Sequence, residues 1–277
     1  DQPRLSPALG GPRQHRGHRR GHRPDHRATV RAAPRASLQA HVQRAHRGRR
    51  GAGARSGEAL LSGSVHGAIL AGGGASRFGG RPKGLEVVGG ERILDRLVRV
   101  MTAAFGGPPL LVANAPDAPS WRPDLRVVPD VRPGLGALGG IYTGVLETPA
   151  PVVLVAWDMP FVSEGLLRRL GEGLREQDAV LPQSDGRRGL EPLCAAYGPA
   201  CRDAIAQSLD QGDLRAIAFH ERISVGILPL SEVARYGDPE VLFFNVNTTD
   251  DLARAEELWR RLESSPSSAG RTPERRL

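Results

Sequence analysis

A chain of 277 residues with 39% apolar side chains can bury one sizeable core or two small ones, so a globular enzyme is allowed. The net charge of +8 would suggest a nucleic-acid or membrane-surface partner, but residues 1–64 hold 14 arginines and no lysine against Asp1, Asp25 and Glu58, so the rest of the chain is mildly acidic and the basic total says nothing about its chemistry. Cys194 and Cys201 lack the spacing of a disulfide framework or a zinc site and suit a reducing cytoplasm, and no apolar run approaches the roughly 20 residues of a membrane helix.

Residues 1–62 are rich in Arg, His, Pro, Ala and Gly and show no apolar period, a composition expected to stay disordered, as an extension translated from upstream of the true start would. Six of the eight histidines lie there, which also invites a metal-binding reading, and the arginines a nucleic-acid one. The first ordered element predicted is a strand over Gly67 to Ala71, and it runs into a loop almost without side chains, Gly72-Gly73-Gly74-Ala75-Ser76-Arg77-Phe78-Gly79-Gly80-Arg81-Pro82-Lys83. Backbone N-H groups in such a loop can form a concave nest for an anion, and Arg77 and Lys83 add positive charge where a triphosphate would lie. The loop is neither a Walker A motif nor a Rossmann G-x-G-x-x-G. A glycine cluster alone is also a plain flexible turn, but Lys83 is the only lysine among 38 basic side chains, which points to a need for a compact ammonium rather than a planar guanidinium.

A helix is predicted from Ile93, Leu94, Leu97, Val98 and Met101, then strands over Leu110 to Ala113 and Leu125 to Val128, ending at Asn114 and, past Pro129, at Asp130. Both polar residues are also ordinary turn formers. Gly134 to Ile141 reads as a second glycine-rich loop, though Gly139 and Gly140 equally suit close helix packing. Val152 to Trp157 is the most apolar strand, and Asp158 follows it directly, where a carboxylate can face a cleft and bind Mg²⁺ or, alternatively, cap the next helix. Ser163 is itself a good cap for that helix, which is marked by Leu166, Leu167, Leu170 and Leu174. A strand over Ala179 to Leu181 and a last helix through Leu252, Ala255 and Leu258, capped by Thr248 or Thr249, complete the pattern. The alternation argues for an α/β fold with a mostly parallel sheet between helices, and ligands at the carboxyl ends of its strands.

The segment Leu70 to Leu85 resembles the L-A-G-G-x-x-x-R-[FM]-G-x-x-K signature of the molybdenum cofactor guanylyltransferase family of nucleotidyltransferases. Phe244 to Asp251 resembles that family's F-x-N-[VI]-N-T-P-x-[DE] segment, and Gly134 to Ile141 its G-P-L-x-G loop with Ala137 in place of proline. The resemblance spans about Val65 to Arg261 and implies a three-layer fold of the nucleotide-diphospho-sugar transferase type with a Rossmann-like nucleotide-binding half, over residues 63–262, followed by a disordered tail at 263–277. It implies GTP, molybdopterin or its molybdenum form, and Mg²⁺ as ligands in the cytoplasm, with other cofactor-synthesis proteins and molybdoenzyme chaperones as partners. Residue by residue it implies nucleotide contacts from Leu70, Ala71, Gly72, Gly73, Lys83, Asn114, Asp130 and Asp158, catalysis by Lys83, Arg77 and Asp158, and Mg²⁺ on Asp158. The pterin substrate falls to the second half, among Glu191-Pro192, Arg187-Arg188, Arg215, Asn245 and Asn247, of which Arg215, Asn245 and Asn247 are the candidates taken forward. Cytidylyl transfer or sugar-phosphate nucleotidyl transfer is the alternative of the same chemistry. A nucleic-acid binder led by the arginine-rich head is the alternative from another class.

Overall fold

The aliphatic run beginning near Gly67 becomes an interior strand of a seven-stranded sheet in a computed structural model, which describes residues 64–72, 82–148, 151–186 and 189–264. The strands are β1 (His66–Ala71), β2 (Val87–Val88), β3 (Glu91–Arg92), β4 (Leu110–Ala113), β5 (Val127–Val128), β6 (Val152–Ala156), β7 (Ala179–Pro182), β8 (Cys194–Tyr197) and β9 (Val225–Leu228). The helices are α1 (Ile93–Phe105), α2 (Ala118–Trp121), α3 (Gly136–Glu147), α4 (Glu164–Gly173), α5 (Cys201–Asp210), α6 (Leu230–Val233), α7 (Pro239–Leu242) and α8 (Thr249–Ser264). In the large sheet the order is β5-β4-β1-β6-β8-β7-β9, with β5, β4, β1 and β6 all parallel and β8 antiparallel to both its neighbours. β2 and β3 form a separate hairpin.

Side chains alternate across the sheet, and so both faces are apolar. Ile69, Ala71, Val153 and Val155 belong to one core with Leu94 and Leu97 of α1 and Leu166 and Leu170 of α4. Ala68, Leu70, Val152 and Leu154 belong to the other, with Leu138 and Ile141 of α3 and Ile205 of α5. The result is the three-layer α/β arrangement that the alternating pattern predicts.

The periodic helices form as expected. The five apolar positions predicted for α1, Ile93, Leu94, Leu97, Val98 and Met101, are all buried, and Gly106, at φ 78°, closes its C-terminus in the left-handed conformation. Ser163 caps α4, its hydroxyl accepting from the Leu166 N-H at 3.4 Å. Two readings change. The strand expected over Leu125 to Val128 shortens to Val127–Val128, because Leu125 closes a turn back to Arg122. The glycine-rich loop expected over Gly134 to Ile141 turns into α3 from Gly136 onward, and the reason is packing: a Cβ on Gly144 would come 2.6 Å from Leu154 Cδ2, so the missing side chains let α3 lie close on the sheet.

The last helix, α8, runs through Ser264 and closes on the β2–β3 turn. Gly89 donates its N-H to Glu256 Oε1 at 3.0 Å, and the Arg96 guanidinium lies 3.9 Å from the centre of the Trp259 ring while donating to the Val88 carbonyl. Gly89 has φ 60°, and a Cβ there would fall 2.2 Å from Trp259 Nε1. Gly89→Ala is therefore expected to lower stability by at least about 1–3 kcal/mol, the cost of a strained left-handed residue, roughly 2–12 °C in Tm by thermal unfolding. An unchanged Tm would show that α8 is not seated on this turn. Residues 1–63 and 265–277, and the expectations for them, lie outside the described residues.

Candidate active site

Parallel strands end on a common edge of the sheet, and four of the expected residues sit there: Gly72 after β1, Asn114 after β4, Asp130 after β5 and Asp158 after β6. The polar ones fall into two clusters.

The first gathers around Lys83. Pro82 precedes a single 3₁₀ turn, Lys83–Leu85, that buries both Lys83 and Gly84. The lysine Nζ donates to Asn247 Oδ1 at 2.8 Å and lies 4.0 Å from Asp158 Oδ2. Asp158 is held from the far end of the chain, since its carbonyl accepts the Val246 N-H at 2.8 Å. Its side chain is 17% exposed, and Oδ1 is buried with no hydrogen-bond partner among the described residues. Burial pushes its carboxyl above the ordinary range, with Lys83 pulling the other way. The helix after it is capped by Ser163, so Asp158 is left for another task.

Asn247 owes its place to a reciprocal cap at the start of α8. Asp251 Oδ2 accepts from the backbone N-H groups of Asn247 and Thr248 and from the Thr248 hydroxyl, at 2.9 to 3.0 Å, while Thr248 Oγ1 accepts from the Asp251 N-H at 3.1 Å. Thr248 and Asp251 are thus structural, and they aim Asn247 at Lys83. Asn245 instead donates to the Phe243 carbonyl within its own loop.

The second cluster pairs Asn114 with Asp130. The Asn114 amide donates to Asp130 Oδ2 at 2.7 Å and accepts the Asp130 N-H at 2.8 Å. Thr143, fully buried on α3, approaches Asp130 Oδ1 at 3.5 Å and accepts the Val131 N-H at 3.0 Å. Gly140 brings α3 close to both Asp130 and Leu70: a Cβ there would be 3.9 Å from Asp130 Oδ1 and 3.7 Å from Leu70 Cδ1.

Leu70 and Ala71 are buried, so what they can offer a nucleotide is backbone, and the space beside Gly72 is open. Gly73, Arg77, Arg187 and Arg188 lie outside the described residues. Arg215, after α5, forks onto Asp213 and holds that carboxyl down to about 2. Thr143, which looks like an ordinary helix residue, went unread in the sequence, and Asp251 entered it only as the last position of the Phe244 to Asp251 segment.

A sheet edge with one ammonium, one carboxylate keeping a free oxygen and a paired Asn and Asp beside a bare glycine backbone can neutralise and align a polyphosphate without forming a bond to it. That is the equipment of an α/β nucleotidyltransferase. Residues 67–223 match the MobA-like NTP transferase domain, and the chain belongs to that family. It is 34% identical to the probable molybdenum cofactor guanylyltransferase of Pelotomaculum thermopropionicum over 68% of this chain and 90% of that protein. It is 31% identical to the molybdenum cofactor guanylyltransferase of Desulfosudis oleivorans over 70% of this chain and 95% of that protein. The crystal structure of molybdopterin-guanine dinucleotide biosynthesis protein A from Archaeoglobus fulgidus superposes with a TM-score of 0.61 at 28% identity, covering 71% of this chain and 99% of the other.

Proposed function

We propose that this chain transfers GMP from GTP to the terminal phosphate of molybdopterin, or of its molybdenum form, releasing pyrophosphate and forming a guanine dinucleotide cofactor. The observation that carries the reading is the Lys83 cluster: an ammonium held between Asn247 and Asp158 at the end of the strand edge where the glycine-rich segment begins and ends. The names of the relatives supply the base and the acceptor.

In the reaction a phosphate oxygen of the acceptor attacks the α-phosphorus of GTP. The bond from that phosphorus to the bridging oxygen breaks, and pyrophosphate leaves with the electron pair. The acceptor phosphate is already ionised near neutral pH, so no general base is required. Lys83 offsets the charge of the phosphates, and Asn247 keeps its ammonium directed. The Asn114 and Asp130 pair, from neighbouring strand ends, holds the nucleoside.

Asp158 fits Mg²⁺. Its Oδ1 is a hard oxygen donor, buried and unpartnered, and among the described residues no group of three or more His, Cys, Asp or Glu could enclose a metal by itself. A single carboxylate plus substrate phosphates and water is the usual arrangement for this ion. Bound there, Mg²⁺ would neutralise charge that develops on the departing pyrophosphate. The buried free thiols of Cys194 and Cys201 fit a reducing compartment, and we place the reaction in the cytoplasm. Among the described residues no helix is long and apolar enough to cross a membrane.

Titration of the full chain with GTP, CTP, ATP and UTP in the presence of Mg²⁺ tests the choice of base. GTP should bind at least about ten-fold more tightly than the others, a difference near 1.4 kcal/mol. Tighter binding of CTP would replace guanylyl with cytidylyl transfer, and no nucleotide binding would overturn the reading altogether.

A further inference from the structure

We infer that Trp157 is a positioning residue for nucleotidyl transfer, setting the Lys83 turn against the phosphates through the six-membered ring of its indole; this rests on Lys83 being the phosphate ligand of the site. Trp157 follows β6 directly, and its backbone N-H donates to the Leu70 carbonyl at 3.2 Å, pinning the end of β1 just before Gly72. Its ring does the same at the other end of the glycine-rich segment. A Cβ on Gly84 would lie 2.3 Å from Trp157 Cε3 and 2.8 Å from Cδ2, so the six-membered ring of the indole lies close against the backbone of the residue next to Lys83. The ring cannot tilt away freely, because it stacks on Trp121 at a centroid distance of 5.2 Å and 21° between planes, and Trp121 is itself anchored by its Nε1 donating to Asp117 Oδ2 at 2.9 Å. Trp121 follows β4 and Trp157 follows β6, the two neighbours of β1, so the stacked pair spans the exit of β1 on one face of the sheet. One residue therefore ties together the two ends of the segment from Gly72 to Lys83, by its backbone at one end and its ring at the other, and its own chain neighbour is Asp158.

Packing alone does not explain a tryptophan here. Its Nε1 is buried without a hydrogen-bond partner among the described residues, which costs about 1–3 kcal/mol, and a phenylalanine would fill the apolar slot without burying a donor. What a phenylalanine would lack is reach. Of the atoms that meet Gly84, Cδ2 has a phenyl counterpart, but Cε3 and Cζ3 lie to the side, outside the space a phenyl group fills. With that ring withdrawn, the Lys83 turn gains room to drift, and a misplacement of about 1 Å at such a site can cost on the order of a hundred-fold in rate.

The test is a double-mutant cycle on binding without metal, read as the ratio of GTP to GMP affinity, since the two ligands differ only in the phosphates. Lys83→Ala is measured first and should collapse the ratio; if it does not, Lys83 is not the phosphate ligand and the site reading fails along with this inference. Given that collapse, Trp157→Phe in the otherwise native chain should lower the ratio about ten-fold with GMP affinity unchanged, and in the Lys83→Ala background it should change nothing further. Gly84→Ala, which forces the same contact apart from the other side, should reproduce the effect and serves if Trp157→Phe fails to fold. Equal loss of GTP and GMP affinity, or the same loss from Trp157→Phe in both backgrounds, would show a merely structural tryptophan and overturn the inference.

Discussion

Lys83→Ala is expected to lower turnover at saturating GTP by about 100-fold or more, near 2.7 kcal/mol of transition-state stabilisation, while the protein stays folded. The reason is where the charge sits. Lys83 is 9% exposed, and its Nζ is directed by the 2.8 Å bond to Asn247 rather than neutralised by a tight ion pair, since Asp158 stands 4.0 Å away. An ammonium held this way keeps most of its charge available to a ligand. Lys83→Arg should restore little, because a planar fork cannot occupy a slot shaped for a point charge between Asn247 and Asp158. Steady-state rates of pyrophosphate release, with circular dichroism as the check on folding, decide the matter, and a turnover within ten-fold of the native value would remove Lys83 from the mechanism.

Asp158→Asn should abolish most turnover as well, again by about 100-fold or more, yet leave the metal-free protein as stable as before or more so. The opposite signs follow from one fact. Asp158 is a carboxylate kept in a poorly solvated place with one oxygen unpaired, so the folded chain carries a desolvation cost that a neutral side chain of the same shape does not. Its folded-state carboxyl titrates above the unfolded one. The cost is therefore absent below the ordinary Asp range and appears as pH rises through the raised folded-state value. Any stability advantage of Asp158→Asn should be seen at neutral pH and vanish on acidification below about 3.8. Pyrophosphate release reads the first half and thermal unfolding with and without Mg²⁺ the second: native protein should gain stability from Mg²⁺ with GTP, and the variant should not. A variant that loses stability and keeps turnover would make Asp158 a structural residue.

Much of the frame was legible before any coordinates. The strands at Ala68 to Ala71 and Val152 to Ala156 declare themselves because parallel strands buried on both faces read as unbroken aliphatic runs, and α1 and α4 because their apolar positions repeat at helical spacing. β8 was hidden. Its residues, Cys194-Ala195-Ala196-Tyr197, lack the β-branched side chains of a strand, and they adopt the conformation because β6 and β7 on either side supply the hydrogen bonds. α3 was half legible: its glycines suit close helix packing as well as a loop, and only Leu154, which needs the space beside Gly144, decides for the helix. In the site, Lys83 and Asp158 stood out by the rarity of lysine and by the end of an apolar strand. Trp157 and Thr143 did not, because a buried ring and a helical hydroxyl bonded back to the Gly139 carbonyl look the same in any core.

By itself, then, the order of residues determined the α/β class, the strand edge where a nucleotide belongs, and the family signature from Leu70 to Lys83, because each depends on local periodicity or on chemistry carried by neighbouring residues. Only the tertiary structure decided that Lys83 meets Asn247, 164 positions away, that Asn114 and Asp130 bond each other across two strand ends, and that Trp157 packs against Gly84. Contacts of that kind are set by how helices and strands pack against a common sheet, and packing is a property of three-dimensional shape that no run of neighbouring residues encodes on its own.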